Sequence, residues 1–285
     1  MNKYRHRPLL ILLVLILNVS CRHIIKLHHD EIKSVHLQRL VTLTLLQTPL
    51  PHDKNSLNLL LLNDGQDIEK LRLKEIMDSL FSKKLIKPLL VAGIHAGDRL
   101  MEYGVAGYPD YLGRGNKAGA YSSFILDELY PYILKRSALH KFKSVVFAGC
   151  SLGGLSAFDI AWDHAELIEK AGIFSGSFWW RDKDDHAPGY SDANNRIMIN
   201  KVRNSVKHPH AQFWFYAGEK EETGDRNKNG IIDVIDDTKD LIAGISSNNK
   251  STTNEIIFVL DEKGVHNQTY WSKHLAEFLV WAFGK

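Results

Sequence analysis

Cysteine is nearly absent from this chain. Only Cys21 and Cys150 occur in 285 residues, so no disulfide framework is available and the fold must rest on its apolar core. Cys150 sits in an apolar stretch, and its one conceivable partner lies at the far N-terminal end. The sequence also lacks any Lys/Arg run interleaved with aromatics, and its net charge of +3 is spread along the chain. That argues against a polyanionic partner and against nucleic acid. There is no internal repeat and no low-complexity tract. The one long apolar run, Leu9 to Leu17, stops at Asn18. It falls short of the roughly 20 apolar residues a spanning helix needs.

That run has a different meaning. Lys3, Arg5 and Arg7 precede it, which gives residues 1–21 the shape of an export signal. Small residues lead into Cys21 (Asn18-Val19-Ser20-Cys21) and resemble a bacterial lipobox, with Asn18 where Leu is usual. The expectation is a lipoprotein acylated at Cys21, periplasmic or membrane-anchored, touching the membrane only through its lipid. An ordinary signal peptide cut nearby is the alternative. Residues 22–285 then suit one large α/β domain. The apolar content of 44% and charged content of 24% of the full chain are ordinary for a globular protein.

Strands are expected at Val41–Leu45, which alternates, and at the continuous apolar runs Leu57–Leu62, Leu89–Ala92 and Val145–Ala148. Further strands are expected at Ala171–Phe174, Gln212–Tyr216 and Glu255–Leu260. Helical periods pass through Ile68, Leu71, Ile76 and Leu80, then through Leu126, Leu129, Tyr130, Ile133 and Leu134. A helix follows Ser151, and the last helix presents Tyr270, Trp271, His274, Leu275, Phe278 and Leu279. From Gly93 to Gly119 seven glycines mark a long functional loop. Apolar strands alternating with amphipathic helices imply a mostly parallel sheet covered on both faces, with its site at the carboxyl ends of the strands.

At one such end the strand Val145–Ala148 runs into Gly149-Cys150-Ser151-Leu152-Gly153-Gly154. A Gly-x-Ser-x-Gly motif between a buried strand and a helix is a nucleophile elbow. The tight turn strains the serine backbone and needs very small residues two positions to either side. It also points the Leu152 N–H toward a developing oxyanion. A second N–H should come from the loop after Val91-Ala92, at Ile94 or His95. A serine hydroxyl is a poor nucleophile at neutral pH, so it needs an imidazole, and the imidazole needs a carboxylate. His266 is the best placed, between the strand Glu255–Leu260 and the last helix. His274, its competitor, falls among aromatics inside that helix. The acid belongs just beyond Gln212–Tyr216, where Glu219, Glu221 and Glu222 compete; Glu221 is preferred, with Glu222 second. No cofactor is needed for this chemistry.

These residues resemble the esterase group of α/β hydrolases that includes esterase D, feruloyl esterases and enterochelin esterases. The resemblance runs from about Arg39 to Phe283. It is densest at Gly149–Ala157, at Phe174-Ser175-Gly176-Ser177-Phe178-Trp179-Trp180, and at Gly264-Val265-His266-Asn267 with Trp271. It implies an α/β-hydrolase fold and a serine esterase acting through an acyl-enzyme. Arg99-x-x-Glu102-Tyr103 resembles the group's pocket-lining loop, so Arg99, Tyr103, Trp179 and Trp180 are expected at the substrate. Aromatic faces beside cations suit a small-molecule or carbohydrate ester, such as a siderophore or a feruloylated sugar. Enterochelin esterases carry a large N-terminal domain that this chain is too short to contain, and many relatives have Asp where Glu221 stands. Acyl transfer on the same residues, and a binding lipoprotein that keeps the fold without the chemistry, are the alternative readings.

One further motif follows the acidic turn. Asp225 to Asp236 fits the spacing of a calcium loop, with Asp225, Asn227, Asn229, Asp233 and Asp236 offering side-chain oxygens, Gly230 at the turn and Ile231 a backbone carbonyl. A structural Ca²⁺ is expected there, with Asp at the last position where Glu is usual.

Overall fold

The computed structural model describes residues 24–206, 209–248 and 255–285. The export signal and Cys21 lie outside them. Eight strands form one sheet: β1 (Lys26–Ser34), β2 (Arg39–Gln47), β3 (Asn58–Asn63), β4 (Leu89–Ile94), β5 (Val145–Cys150), β6 (Lys170–Phe174), β7 (Gln212–Gly218) and β8 (Ile256–Asp261). Their spatial order is β1-β2-β4-β3-β5-β6-β7-β8. Pairings from β4 through β8 are parallel, while β1 and β2 run antiparallel at one edge. The helices are α1 (Leu73–Ser82), α2 (Arg99–Glu102), α3 (Ala118–Ser123), α4 (Tyr130–Ser137), α5 (Leu152–Asp163), α6 (Asp192–Asn195), α7 (Ile197–Arg203), α8 (Asp233–Asn248) and α9 (Gln268–Phe283). Among the described residues no helix is long and apolar enough to cross a membrane. This is the mostly parallel α/β-hydrolase sheet expected from the sequence.

Successive side chains of a strand face opposite sides, and β3 shows what that does to a run of leucines. Leu59 and Leu61 join a core with Phe147, Leu155, Phe158 and Trp162, whereas Leu60 and Leu62 join a second core with Met77, Leu275 and Phe278. Each fully buried leucine contributes about 1.5–3 kcal/mol, so four in a row hold helices on both faces at once. On the second face a Cβ at Gly172 would meet the Phe278 ring at 2.2 Å. Glycine there lets α9 lie flat on the sheet.

Three features differ from the sequence reading. β1 was not expected, because its sequence KLHHDEIKS is polar and it sits exposed at the sheet edge, held by a nine-residue ladder from Lys26↔Gln47 to Ser34↔Arg39. The helix at Leu126–Leu134 begins earlier, at Ala118, and passes through a π-helical stretch at Phe124–Leu129. That wider turn brings Tyr121, Phe124, Ile125, Leu129 and Ile133 to the core and leaves Leu126 half-buried. The glycine-rich segment contains α2 and packs around Trp180: Cβ atoms at Gly104 and Gly115 would meet its ring at 2.8 and 2.6 Å.

Candidate active site

Ser151 ends the β5 strand in a conformation that L-residues rarely adopt, φ +57° and ψ −124°. Its N–H donates to the Phe174 carbonyl at 2.8 Å, which extends the ladder by one bond before α5 begins. The glycines beside it are sterically required. A Cβ at Gly149 would lie 2.3 Å from the Gly153 carbonyl oxygen, and one at Gly153 would lie 2.8 Å from an Asp64 carboxylate oxygen. Beneath the turn, Asn63 donates from Nδ2 to the Gly153 carbonyl at 2.7 Å and accepts from the Tyr121 hydroxyl. Burial pushes the Cys150 thiol well above its usual range. It is therefore no rival nucleophile beside Ser151.

Glu221 and His266 meet above the ends of β7 and β8. His266 Nδ1 lies 2.8 Å from Glu221 Oε2. A carboxylate can only accept, so Nδ1 donates, and in the neutral ring the lone pair is then on Nε2. The other oxygen of Glu221 accepts the Ser175 hydroxyl and the Gly218 N–H, each at 2.6 Å. The Glu221 side chain is 1% exposed and that of His266 37%, so a buried acid holds an accessible imidazole. Glu222 points elsewhere and accepts the Val234 N–H. His274, on α9, contacts Asp261 and packs at a tilt against Tyr216 of β7.

Ser151, Leu152, Glu221 and His266 share one cleft with Ser175, Ser177, Trp179, Leu100, Arg114, Glu222 and Val234, about 410 Å³ in volume. The Ser177 hydroxyl is 3.3 Å from that of Ser151. Arg114 lies over the Trp179 ring at 5.1 Å and is tethered by the buried Asp110.

The other expected pocket residues take different places. Tyr103 and Trp180 are fully buried, so neither presents a face to a ligand. The Trp180 indole donates to the Tyr108 carbonyl, and the Tyr103 hydroxyl accepts the Asp64 N–H. Arg99 pairs with both oxygens of Asp64 at 2.9 and 3.1 Å and donates to the Cys150 carbonyl at 3.2 Å. It braces the elbow from behind. Ile94 is buried in β4, and the His95 N–H is committed to the Thr42 carbonyl at 3.0 Å. Leu100, in the first turn of α2, is the residue after β4 that reaches the cleft.

The acidic loop is partly gathered. Asp225 accepts the N–H groups of Asn229 and Gly230, while the side-chain amides of Asn227 and Asn229 reach one Asp236 oxygen at 2.9 and 2.7 Å. The Ile231 N–H donates to the Asn229 side chain. Asp233 is turned away toward Arg226, accepting its backbone N–H at 3.1 Å and pairing with its guanidinium at 3.2 Å. Asp225, Asn227, Asn229 and Asp236 are thus drawn together by hydrogen bonds within the loop, and Asp233 is turned away from them.

A family model described as "Putative esterase" matches residues 38–282. The chain belongs to this esterase family. It is a carboxylic ester hydrolase accordingly. The esterase is 27% identical over 218 residues to the uncharacterised protein YbbA of Bacillus subtilis, covering 74% of this chain and 80% of that one. Among solved structures it resembles a ferulic acid esterase, with a TM-score of 0.67 and 17% identity over 92% of this chain and 99% of that one. It also resembles an enterochelin esterase of Shigella flexneri, with a TM-score of 0.69 and 19% identity over 90% of this chain. The esterase spans 57% of that longer protein. These structural likenesses establish the fold.

Proposed function

We propose that this esterase cleaves its substrate through an acyl-enzyme on Ser151, with His266 as general base and Glu221 as its orienting acid. The carrying observation is the 2.8 Å contact of His266 Nδ1 with a buried Glu221, in the cleft that holds the strained Ser151. His266 Nε2 takes the Ser151 proton as Oγ attacks the ester carbonyl, then returns it to the departing alcohol; water repeats the cycle and releases the acid. The Leu152 N–H stabilises the oxyanion at the start of α5, and a second N–H would come from the segment after β4, where Leu100 lines the cleft in place of Ile94 or His95. A fluorophosphonate probe tests this: labelling of Ser151, lost in His266→Ala, supports it, and absence of labelling in folded protein overturns it.

The cleft favours an aryl ester. Trp179 offers a flat face, Arg114 a cation above it, and Leu100 and Val234 an apolar wall. Structural neighbours named for ferulic acid and enterochelin suit this reading. The Asp225–Asp236 loop would hold a structural Ca²⁺ through Asp225, Asn227, Asn229, the Ile231 carbonyl and Asp236, with no part in the ester chemistry. Export with acylation of Cys21 completes the proposal, and loss of palmitate incorporation in Cys21→Ala tests it.

A further inference from the structure

Ser175 ends β6 in much the way that Ser151 ends β5. Its φ is +52°, and its N–H donates to the carbonyl of the next strand, at Tyr216, at 2.7 Å. Two neighbouring strands therefore finish on serines in the left-handed region. The second is 1% exposed, and its hydroxyl is fully engaged. It donates to Glu221 Oε1 at 2.6 Å and accepts the indole N–H of Trp271 at 2.8 Å. Trp271 in turn presents its ring edge-on to His266, with centroids 5.1 Å apart. The contacts close a ring of four residues: Trp271, Ser175, Glu221 and His266.

We infer that Ser175, polarised by the Trp271 indole, is a positioning residue that sets the orientation and basicity of the acid in the Ser151–His266–Glu221 triad; the inference rests on that triad. A hydroxyl has one hydrogen to donate, and here the carboxylate takes it, so Ser175 acts through Glu221 rather than on substrate. The indole N–H withdraws electron density from the Ser175 oxygen and strengthens the bond to Glu221. Glu221 follows the end of β7 by three residues. With the Gly218 N–H on the same oxygen, the Ser175 hydroxyl leaves Oε2 directed at the imidazole. Removing the hydroxyl leaves the Gly218 bond in place but concentrates charge on the carboxylate, which favours the imidazolium. Titratable groups that interact with Glu221 include Glu222, Cys150 and Tyr216, with Arg114 in the same cleft and Asp261, Asp64, Asp67 and Arg99 behind them. None of them changes in the variants below.

Ser175→Gly deletes the hydroxyl at a positive φ where glycine is at ease, and Trp271→Phe keeps a smaller aromatic ring but removes the N–H. Melting curves recorded alongside check that both fold. Ser175→Gly should lower kcat on the order of tenfold with KM nearly unchanged, and should move the acid limb of the kcat/KM profile to higher pH. Trp271→Phe should do the same to a smaller extent. Because Trp271 acts through Ser175, the double variant should match Ser175→Gly alone. Wild-type kcat with an unmoved acid limb in Ser175→Gly overturns the inference, as does a double variant whose losses multiply. Glu221→Gln measured alongside separates the two levels: a fully active Glu221→Gln removes the triad itself, whereas an impaired one beside an unaffected Ser175→Gly removes only the role of Ser175.

Discussion

The Glu222 carboxylate accepts the backbone N–H of Val234 at 2.7 Å, at the first turn of α8. Desolvation raises its pKa above the usual carboxylate range, and that N–H works against the rise. The adjacent Glu221 turns the opposite way, to His266. Glu221→Gln should lower kcat on the order of 10³- to 10⁴-fold, because an amide can stabilise the wrong imidazole tautomer. Glu222→Gln keeps an oxygen for Val234 and should remain close to wild type. Steady-state hydrolysis of a short p-nitrophenyl ester compares them, and the reverse ranking would transfer the role to Glu222.

Ser151→Ala and His266→Ala should each abolish turnover of the same ester. Residues of one proton-transfer unit lose activity together, so the double variant should be no slower than the weaker single one. A double variant slower by the product of the two losses would show that they act separately.

The two tryptophans of the Phe174–Trp180 segment should behave oppositely. Trp179→Ala should reduce kcat/KM for hydroxycinnamoyl or catecholate esters about tenfold more than for acetate, since an aromatic face is worth about 1 kcal/mol or more. Trp180→Ala should act on stability, by about 3–5 kcal/mol, through the hole left between Gly104 and Gly115. Equal loss on both ester classes in Trp179→Ala would remove the aryl preference.

How much of this was legible in the sequence depends on how local each role is. Ser151 and its glycines are read within six residues, and His266 follows from its place after a strand. Ser175 could not be read in the same way: its partners Glu221 and Trp271 are 46 and 96 positions away. Tyr103 and Trp180 look like pocket aromatics in any linear reading. Only the three-dimensional packing shows that Asp64 and the glycine loop enclose them. The β1 strand was hidden because its residues, KLHHDEIKS, are mostly polar and exposed and show no apolar alternation, unlike the equally peripheral β8.

Calcium should stabilise without being required. If only the folded state binds it, Ca²⁺ at about a thousandfold above its dissociation constant would add roughly 4 kcal/mol. Chelator should therefore lower Tm and weaken activity, and Asp225→Ala should no longer respond to chelator. Identical melting with and without Ca²⁺, with no heat of binding at millimolar Ca²⁺, would leave the loop an ordinary polar turn.

Arg226, inside that loop, is also inserted among Asp192, Asp233 and the buried Asp237. Burial alone would raise the Asp192 carboxyl, but hydrogen bonds from Arg226 and Tyr190 hold it below its ordinary value. A carboxyl whose pKa is depressed in the folded state contributes stability above its unfolded pKa, and that stability is lost as pH falls through the folded one. Tm should therefore fall as pH drops below about 4. Arg226→Ala should cost about 3–5 kcal/mol at neutral pH by leaving Asp237 buried with one fewer partner. Arg196 also pairs with Asp237, at 2.7 Å, and a neutral-pH Tm unchanged in Arg226→Ala would show that it satisfies Asp237 alone.

The π-helical stretch at Phe124–Leu129 has a meaning in terms of chain length. A π turn accommodates one residue more than an α turn over the same rise, so this segment carries a surplus position between Tyr121 and Ile133. Removing one residue there would let the turn revert to α geometry while Leu129 and Ile133 stay on the core. Elsewhere in α3 or α4 the same deletion would rotate every later core residue by about 100°, so tolerance to shortening should be confined to these six positions.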